Sequence, residues 1–163
     1  MKKINVIIST FFGYGYLTKI PGTVTSLVTA IFIYIAYEHL GYTDLKFSII
    51  FFTLLFFYSF YAVKDAESEF KNKDPRQIVI DEVLGQAMPL ILVLHLSQNN
   101  QLSLPIEVYY VLSFIFFRFF DILKPFPVSY FDKNFKNFFG IIMDDIMAGL
   151  YSMMLIYLIS LKF

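Results

Sequence analysis

The sequence contains no cysteine and only two histidines, His39 and His95, among its 163 residues. The missing cysteines exclude disulfide bonds, thiolate metal ligands and a cysteine nucleophile. The two histidines stand alone in the chain, so a histidine-rich zinc site is excluded as well. Any metal ion that this protein binds must therefore be held by oxygen atoms.

Net charge is missing too, since 13 Lys and Arg residues balance 13 Asp and Glu residues. Without a basic surplus the chain has no overall field that would attract nucleic acid, so we expect no nucleic-acid partner. What the sequence has instead is apolar surface: 58% of its residues are hydrophobic and the mean hydropathy is +0.64. Soluble domains are only about 45 to 50% apolar. The composition predicts one integral membrane domain over residues 1–163.

Five apolar segments, separated by short polar connectors, divide the chain. They cover residues 24–40, 47–63, 78–96, 106–123 and 141–161. A transmembrane helix needs about 20 predominantly apolar residues, a length that these segments approach or reach. In lipid a spanning segment must also pair its own backbone groups, which favours helices. The sequence therefore predicts an all-α polytopic membrane helical bundle of about five apolar segments.

The N-terminus begins with Lys2 and Lys3 and continues with an apolar run over residues 4–12, a pattern that superficially resembles a secretory signal. The run is short, and no small-residue cleavage site follows it. At about 1.5 Å per residue it cannot cross about 30 Å of hydrocarbon. We therefore expect a short N-terminal helix that is interfacial or re-entrant.

The basic residues are concentrated on one side of the predicted bundle. If the N-terminus lies inside, only Lys46 and Lys162 of the 13 basic residues fall outside. Short loops rich in Lys and Arg normally face the cytoplasm. Of the 13 acidic residues, only Glu38, Asp44 and Glu107 fall outside in this arrangement. The charged ends of the segments are therefore expected to face the cytoplasm.

Two pairs of carboxylates, Asp81-Glu82 and Asp144-Asp145, lie near one end of apolar segments. A helix dipole would stabilise an acidic first turn, but this explains one surface acid better than two acids between hydrophobic residues. Adjacent carboxylates repel unless a cation lies between them, and Mg²⁺ takes carboxylates, waters and substrate phosphate as ligands. We expect all four to bind Mg²⁺, with Asp81, Glu82 and Asp145 as the candidate catalytic residues. Neighbours on a helix point about 100° apart, so only one member of each pair should face the ion directly.

Arg118, Asp121 and Lys124 are spaced three residues apart, so they can share one face at the end of the fourth segment. One interpretation is an ion-paired helix end whose long side chains reach toward water. The other is a phosphate site, because a guanidinium offers a bidentate fork and an ammonium a compact charge. We place all three residues in a substrate-binding site.

Thr23 and Ser26 open the first apolar segment, directly after Pro21-Gly22. A simple N-cap would explain this stretch alone. A helix N-terminus also presents unpaired N–H groups that bind phosphate, and this one lies on the same side as the carboxylates. We expect Thr23 and Ser26 to contact the substrate. Together, these clusters suggest metal-assisted hydrolysis of a phosphorylated lipid headgroup at the inner membrane surface.

Four stretches of the chain also resemble one known family. They are PGT at residues 21–23, VIDEVLGQ at 79–86, FRFFDILKPFP at 117–127 and GIIMDDIMAG at 140–149. In this order they are similar to the bacterial phosphatidylglycerophosphatase A family over residues 13–151. The resemblance implies a Mg²⁺-dependent phosphatase that converts phosphatidylglycerophosphate to phosphatidylglycerol and inorganic phosphate. It also implies a place in the bacterial cytoplasmic (inner) membrane and a phospholipid substrate, and we expect no obligate protein partner.

The alternative function is a small cation-coupled membrane transporter or channel that uses the same carboxylates. Such a protein should carry ionisable residues near the bilayer midplane or on both sides of the membrane. Here they are concentrated on one side. Other lipid-phosphate enzymes would need catalytic histidines or differently spaced aspartates, so the phosphatase is the favoured hypothesis.

Overall fold

Seven α-helices and one short 3₁₀ helix make up the computed structural model, which describes residues 2–70 and 75–162. No β-strand occurs in these residues, which confirms the all-α prediction. The 3₁₀ helix covers Tyr14–Tyr16. The α-helices are α1 (Lys2–Ser9), α2 (Pro21–Glu38), α3 (Leu45–Glu67), α4 (Ile80–Gln98), α5 (Ile106–Leu123), α6 (Val128–Asn134) and α7 (Phe138–Lys162).

Three of the helices in the described ranges are long and apolar enough to cross a membrane, over Leu45–Glu67, Ile80–Gln98 and Phe138–Leu161. The other two predicted segments form α2 and α5, each of 18 residues. Helix α2 starts with the weakly apolar Pro21-Gly22-Thr23, and α5 carries Glu107, Arg118 and Asp121. Several apolar helices thus indicate a membrane protein, while a count of about five spans stays a prediction.

Helix α4 is the centre of the bundle and packs against α2, α3, α5 and α7. Leu84, Leu90 and Val93 on this helix are completely buried. Helix α3 is different, because its large apolar residues remain exposed: Phe57 is 68% exposed and Leu54 66%. In water such a face would be costly, but lipid tails are as apolar as these side chains. Two apolar helices thus differ in their surroundings: α4 is mostly buried within the protein, and α3 exposes a face suited to lipid.

Helices α4 and α7 approach each other through two glycines. A Cβ added at Gly85 would lie 2.7 Å from the backbone oxygen of Asp145, and one added at Gly149 would lie 2.6 Å from the oxygen of Gly85. Only residues without a side chain allow backbones to come this close, which is the usual role of small residues between membrane helices. The close contact brings the first turns of α4 beside the second turn of α7.

Helix α1 is the short N-terminal helix that the sequence predicts, and it packs against α3. The buried side chain of Asn5 joins the two helices: its Nδ2 donates to Asp65 Oδ2 at 2.7 Å, and Tyr58 Oη donates to its Oδ1 at 2.7 Å. At the end of α1, the oxygen of Ser9 accepts a bond from Val79 N at 2.9 Å. Helix α1 is therefore attached to the residue that precedes α4.

Helix α5 ends sharply at Lys124, whose backbone is left-handed with φ 45°. Its N–H donates to the Phe120 oxygen at 2.9 Å and closes the last turn. Pro125 and Pro127 follow, and neither can continue a helix. The chain then turns into α6, which packs against α7. This turn returns the chain to the end of the bundle where α4 and α7 begin.

Candidate active site

A cavity of about 300 Å³ opens at the end of the bundle where α2, α4 and α7 begin and α5 ends. Every predicted site residue except Ser26 lines this cavity. Helices α2, α4 and α7 run away from it in the same direction, whereas α5 runs toward it. The site is thus assembled from residues that are far apart in sequence but lie at the same end of four helices.

Three carboxylates form the core of the site. Asp81, Glu82 and Asp145 each place one carboxylate oxygen so that these atoms lie within 4.8 Å of one another. Asp81 is 8% exposed and Asp145 is 3% exposed. One oxygen of each group, Asp81 Oδ1, Glu82 Oε2 and Asp145 Oδ2, is buried and makes no hydrogen bond to any described residue. Buried carboxylates without partners are strongly unfavourable unless a proton or a cation compensates them.

This donor set fits a Mg²⁺ ion. Magnesium prefers oxygen ligands, and it usually takes a small number of carboxylates and completes its shell with waters and substrate phosphate. Three converging carboxylates with free oxygens, at the wall of an open cavity, supply the protein's part of such a shell. The absence of cysteine and of any histidine from the cavity wall also agrees with a hard, oxygen-binding cation.

Asp144 lies beside this group but has other partners. Its Oδ2 is 2.7 Å from Lys124 Nζ, and its Oδ1 accepts a bond from Asp145 N at 3.1 Å. The three-carboxylate group therefore contains Asp145 and leaves Asp144 out. The sequence predicted that both would be metal ligands, and also that only one member of the pair would face the ion directly.

Glu82 lies against the start of α2. A Cβ at Gly22 would collide with Glu82 Oε1, so only glycine allows the carboxylate to approach the first turn of this helix. Thr23, the next residue, lines the cavity. The backbone N–H groups of a first helical turn have no partner within the helix and carry partial positive charge. The start of α2 thus presents an anion-attracting surface directly beside the carboxylates.

Arg118, near the end of α5, lines the cavity and is ion-paired. One terminal nitrogen, Nη1, lies 2.8 Å from Asp121 Oδ2 and donates to Ser26 Oγ at 3.4 Å. Its Nε is buried and has no hydrogen-bond partner among the described residues. Ser26 in turn donates to the Gly22 oxygen at 2.9 Å and lies behind the cavity wall. Ser26 therefore supports Arg118 and does not itself face the cavity.

Lys124 has two carboxylate partners, one of which the sequence did not place in the site. Its Nζ lies 2.7 Å from Asp132 Oδ1 and 2.7 Å from Asp144 Oδ2. Burial lowers the pKa of Lys124, but the two carboxylates raise it by more, so the pKa lies above its usual range. Burial raises the pKa of Asp132, but Lys124 and Lys136 together lower it by more, so the pKa lies below its usual value. Both groups are charged at neutral pH.

Asp132 could not have been found from its spacing to Lys124. The two residues are eight positions apart, and Pro125 and Pro127 lie between them. No helical or strand period relates two residues across such a turn. Its only sequence signal is a charge within the aromatic stretch 126–135, and that signal does not distinguish a site residue from a solvated one.

Comparisons with known proteins agree with this site. A family model described as phosphatidylglycerophosphatase A matches residues 7–160. A phosphatidylglycerophosphatase A of Haemophilus influenzae is 33% identical over 98% of this chain and 94% of its own length. A putative phosphatidylinositol-3-phosphatase of Bacteroides thetaiotaomicron is 36% identical over 93% of this chain and 90% of its own length. A phosphatidylglycerophosphatase A of Escherichia coli is 26% identical over 94% of this chain and 82% of its own length.

No solved structure matches the chain. The family model covers most of the sequence, and it spans all four of the motifs on which the resemblance was based. The chain therefore belongs to the phosphatidylglycerophosphatase A family of lipid phosphatases.

Proposed function

We propose that this protein hydrolyses phosphatidylglycerophosphate to phosphatidylglycerol and inorganic phosphate with the help of Mg²⁺. The observation that carries the proposal is the cavity, in which three converging carboxylates, two of them from buried residues, lie with a helix N-terminus and an arginine at one end of an apolar bundle. Family membership supports the reaction class. The proposed substrate ends in a phosphate monoester, an anion that this combination of groups is suited to bind.

The cavity is small for a ligand pocket. A volume of about 300 Å³ is at the small end of ligand pockets, which are about 300 to 1,000 Å³. We infer that the terminal phosphate enters the cavity while the acyl chains stay in the bilayer. The exposed apolar surface of the surrounding helices supports this arrangement, since it provides a lipid-facing surface next to the cavity.

Each group in the cavity has a proposed task. Asp81, Glu82 and Asp145 would hold Mg²⁺, which when bound would neutralise phosphate oxygens and lower the pKa of the attacking water. Arg118 and the first-turn N–H groups of α2 would orient the phosphate. Asp121 fixes the guanidinium of Arg118, and Ser26 supports it from behind. The protein's contribution is thus position and charge, as expected for phosphoryl chemistry.

We propose the cytoplasmic face of the bacterial inner membrane as the location of the reaction. Only Lys46 and Lys162 of the 13 basic residues fall on the opposite side of the predicted bundle. The cavity lies at the basic end, together with Arg76, Arg118, Lys124 and Lys136. A transporter that uses the same carboxylates has less support. It would need ionisable residues near the midplane or on both sides of the membrane, whereas the carboxylates that could hold a metal ion, among the described residues, lie at this one end.

The test is phosphate release from phosphatidylglycerophosphate by the purified protein in detergent, with and without Mg²⁺. Phosphatidylinositol 3-phosphate serves as the competing substrate, because one relative carries that activity in its name. We expect Mg²⁺-dependent release from phosphatidylglycerophosphate and a loss of at least about 100-fold in Asp81→Asn and Asp145→Asn. Glu107→Gln, at the other end of the bundle, should retain activity.

Two results would contradict the proposal. If the wild type releases no phosphate from phosphatidylglycerophosphate with any divalent cation, the proposed substrate is wrong. If Asp81→Asn and Asp145→Asn both keep full activity, the proposed site is wrong. If the protein prefers phosphatidylinositol 3-phosphate, the proposed site stands and the proposed substrate headgroup is wrong.

A further inference from the structure

The ammonium group of Lys124 is held between carboxylates from two different helices. Asp132 of α6 and Asp144 of α7 each place one oxygen 2.7 Å from its Nζ. An ammonium has three N–H donors, so these two bonds leave one. All three side chains line the cavity. The remaining donor is therefore the one that Lys124 can offer to a ligand.

The backbone alone cannot fix the direction of this donor. The left-handed turn at Lys124 sets where the side chain starts, but four flexible bonds separate the backbone from Nζ. A single bond to Asp144 would let the ammonium rotate about that bond. Two bonds to oxygens on separate helices remove this rotation, so the second carboxylate determines where the third N–H points.

We propose that Asp132 is a positioning residue of the phosphatase site, which together with Asp144 directs the third N–H of Lys124 at the substrate phosphate. The proposal rests on the function proposed above, because it needs an anionic headgroup in the cavity. Two carboxylates also outweigh the charge of one ammonium. Lys124 thus contributes a directed hydrogen bond, and the net attraction for phosphate comes from other groups.

Burial and the surrounding charges support a role inside the site. The Asp132 side chain is only 25% exposed and that of Lys124 32%, whereas the Lys2 and Glu69 side chains of the surface ion pair are 61% and 51% exposed. Lys136 lies 3.7 Å from the same oxygen of Asp132 but is 56% exposed. A pair that is shielded from water and held at 2.7 Å is worth more than an exposed pair at 3.7 Å.

A double-mutant cycle tests the coupling. We expect Asp132→Ala to lower kcat/KM for phosphatidylglycerophosphate by about tenfold, with Asp132→Asn intermediate because its amide oxygen still accepts a bond. Combining Asp132→Ala with Lys124→Met should cost no more than Lys124→Met alone, since Asp132 acts through Lys124. Glu69→Gln, which removes a surface carboxylate, should change nothing. Losses that multiply in the double variant, or an Asp132→Ala effect below about twofold, would overturn the proposal.

A second measurement needs no substrate. Acetic anhydride modifies free lysine amines, and mass spectrometry reports the rate at each lysine. In Asp132→Ala the Lys124 amine loses one of its two partners, so its modification should accelerate several-fold relative to Lys46, an exposed lysine at the other end of the bundle that serves as an internal reference. An unchanged Lys124 rate would overturn the proposal. If the wild type fails to hydrolyse phosphatidylglycerophosphate, the proposed substrate is wrong. The modification rate of Lys124 would still show whether Asp132 restrains its ammonium group.

Discussion

At the scale of single residues, Asp144 and Asp145 show how neighbours in sequence acquire different surroundings. Asp145 points one oxygen at Asp81 and Glu82, and Asp144 is bonded to Lys124. The reason is geometric, because successive side chains on a helix diverge by about 100°. Where the ends of four helices meet, one acid of the pair can therefore face the proposed cation site while the other holds a lysine.

The metal dependence of the two variants should separate these tasks. We expect Asp145→Asn to raise the Mg²⁺ concentration for half-maximal activity by at least about tenfold, since it removes one of the three carboxylates proposed to hold the ion. Asp144→Asn should leave that concentration nearly unchanged and lower kcat, because it releases Lys124. The measurement is phosphate release across a Mg²⁺ titration. Equal shifts in both variants would make Asp144 a metal ligand as well.

At the scale of elements, the site depends on how closely α4 and α7 pack. Gly85 and Gly149 let the two backbones touch, and Asp81 lies one turn before Gly85 on the same helix. The distance between Asp81 and Asp145 is thus set by glycines that carry no chemistry themselves. The same helices form much of the buried core, so stability and site geometry have a common origin.

Gly85→Ala tests this dependence. The new methyl group would meet the Phe117 ring and the Asp145 backbone, so α4 must move away from its neighbours. We expect the free energy of unfolding to fall by about 1 to 3 kcal/mol and phosphatase activity to fall with it. Gly41→Ala is the contrast: φ there is 69° and no atom lies within 4 Å, so it should cost stability and spare activity. Thermal unfolding in detergent measures the change in stability, and phosphate release measures the change in activity. A fully active Gly85→Ala variant would show that the site tolerates a movement of α4 relative to α7.

Elements also explain which parts of the site the sequence could predict. Asp81, Glu82 and Asp145 stand out as acids within apolar segments, and helix periodicity and the positive-inside rule place them at one end. Asp132 depends on the turn that returns α6 to the cavity. Pro125 and Pro127 predict that α5 ends there, but no local pattern gives the direction in which the chain continues. The same limit applies to Ser26, which the pattern placed in the site; it is fully buried, is bonded to Arg118 and does not line the cavity.

At the scale of the whole molecule, polarity is distributed along the bundle axis. The cavity with its charged side chains occupies one end, and α4 carries the chain about 28 Å away from it over 19 residues. That distance is close to the thickness of the hydrocarbon layer, about 30 Å. The two ends of the molecule should therefore face opposite sides of the membrane.

Cysteine labelling can test this orientation, since the chain has no cysteine of its own. Lys133→Cys on α6 marks the cavity end, and Asn99→Cys marks the far end of α4; both positions are exposed. A membrane-impermeant maleimide added to intact cells should label Asn99→Cys and leave Lys133→Cys unmodified until the cells are opened. The reverse pattern would place the cavity on the outer surface.

The attachment of α1 to the chain just before α4 has a consequence for where catalysis occurs along the membrane normal. Helix α1 exposes Ile4 and Ile7, and the oxygen of its last residue, Ser9, is bonded to Val79, two residues before Asp81. The sequence predicts that α1 lies at the membrane interface. In that case the depth of α1 in the membrane also fixes the depth of the carboxylates, because the two are joined by this bond. The N-terminal helix would then hold the reacting phosphate at the height of the lipid headgroups, so that the substrate need not leave its leaflet.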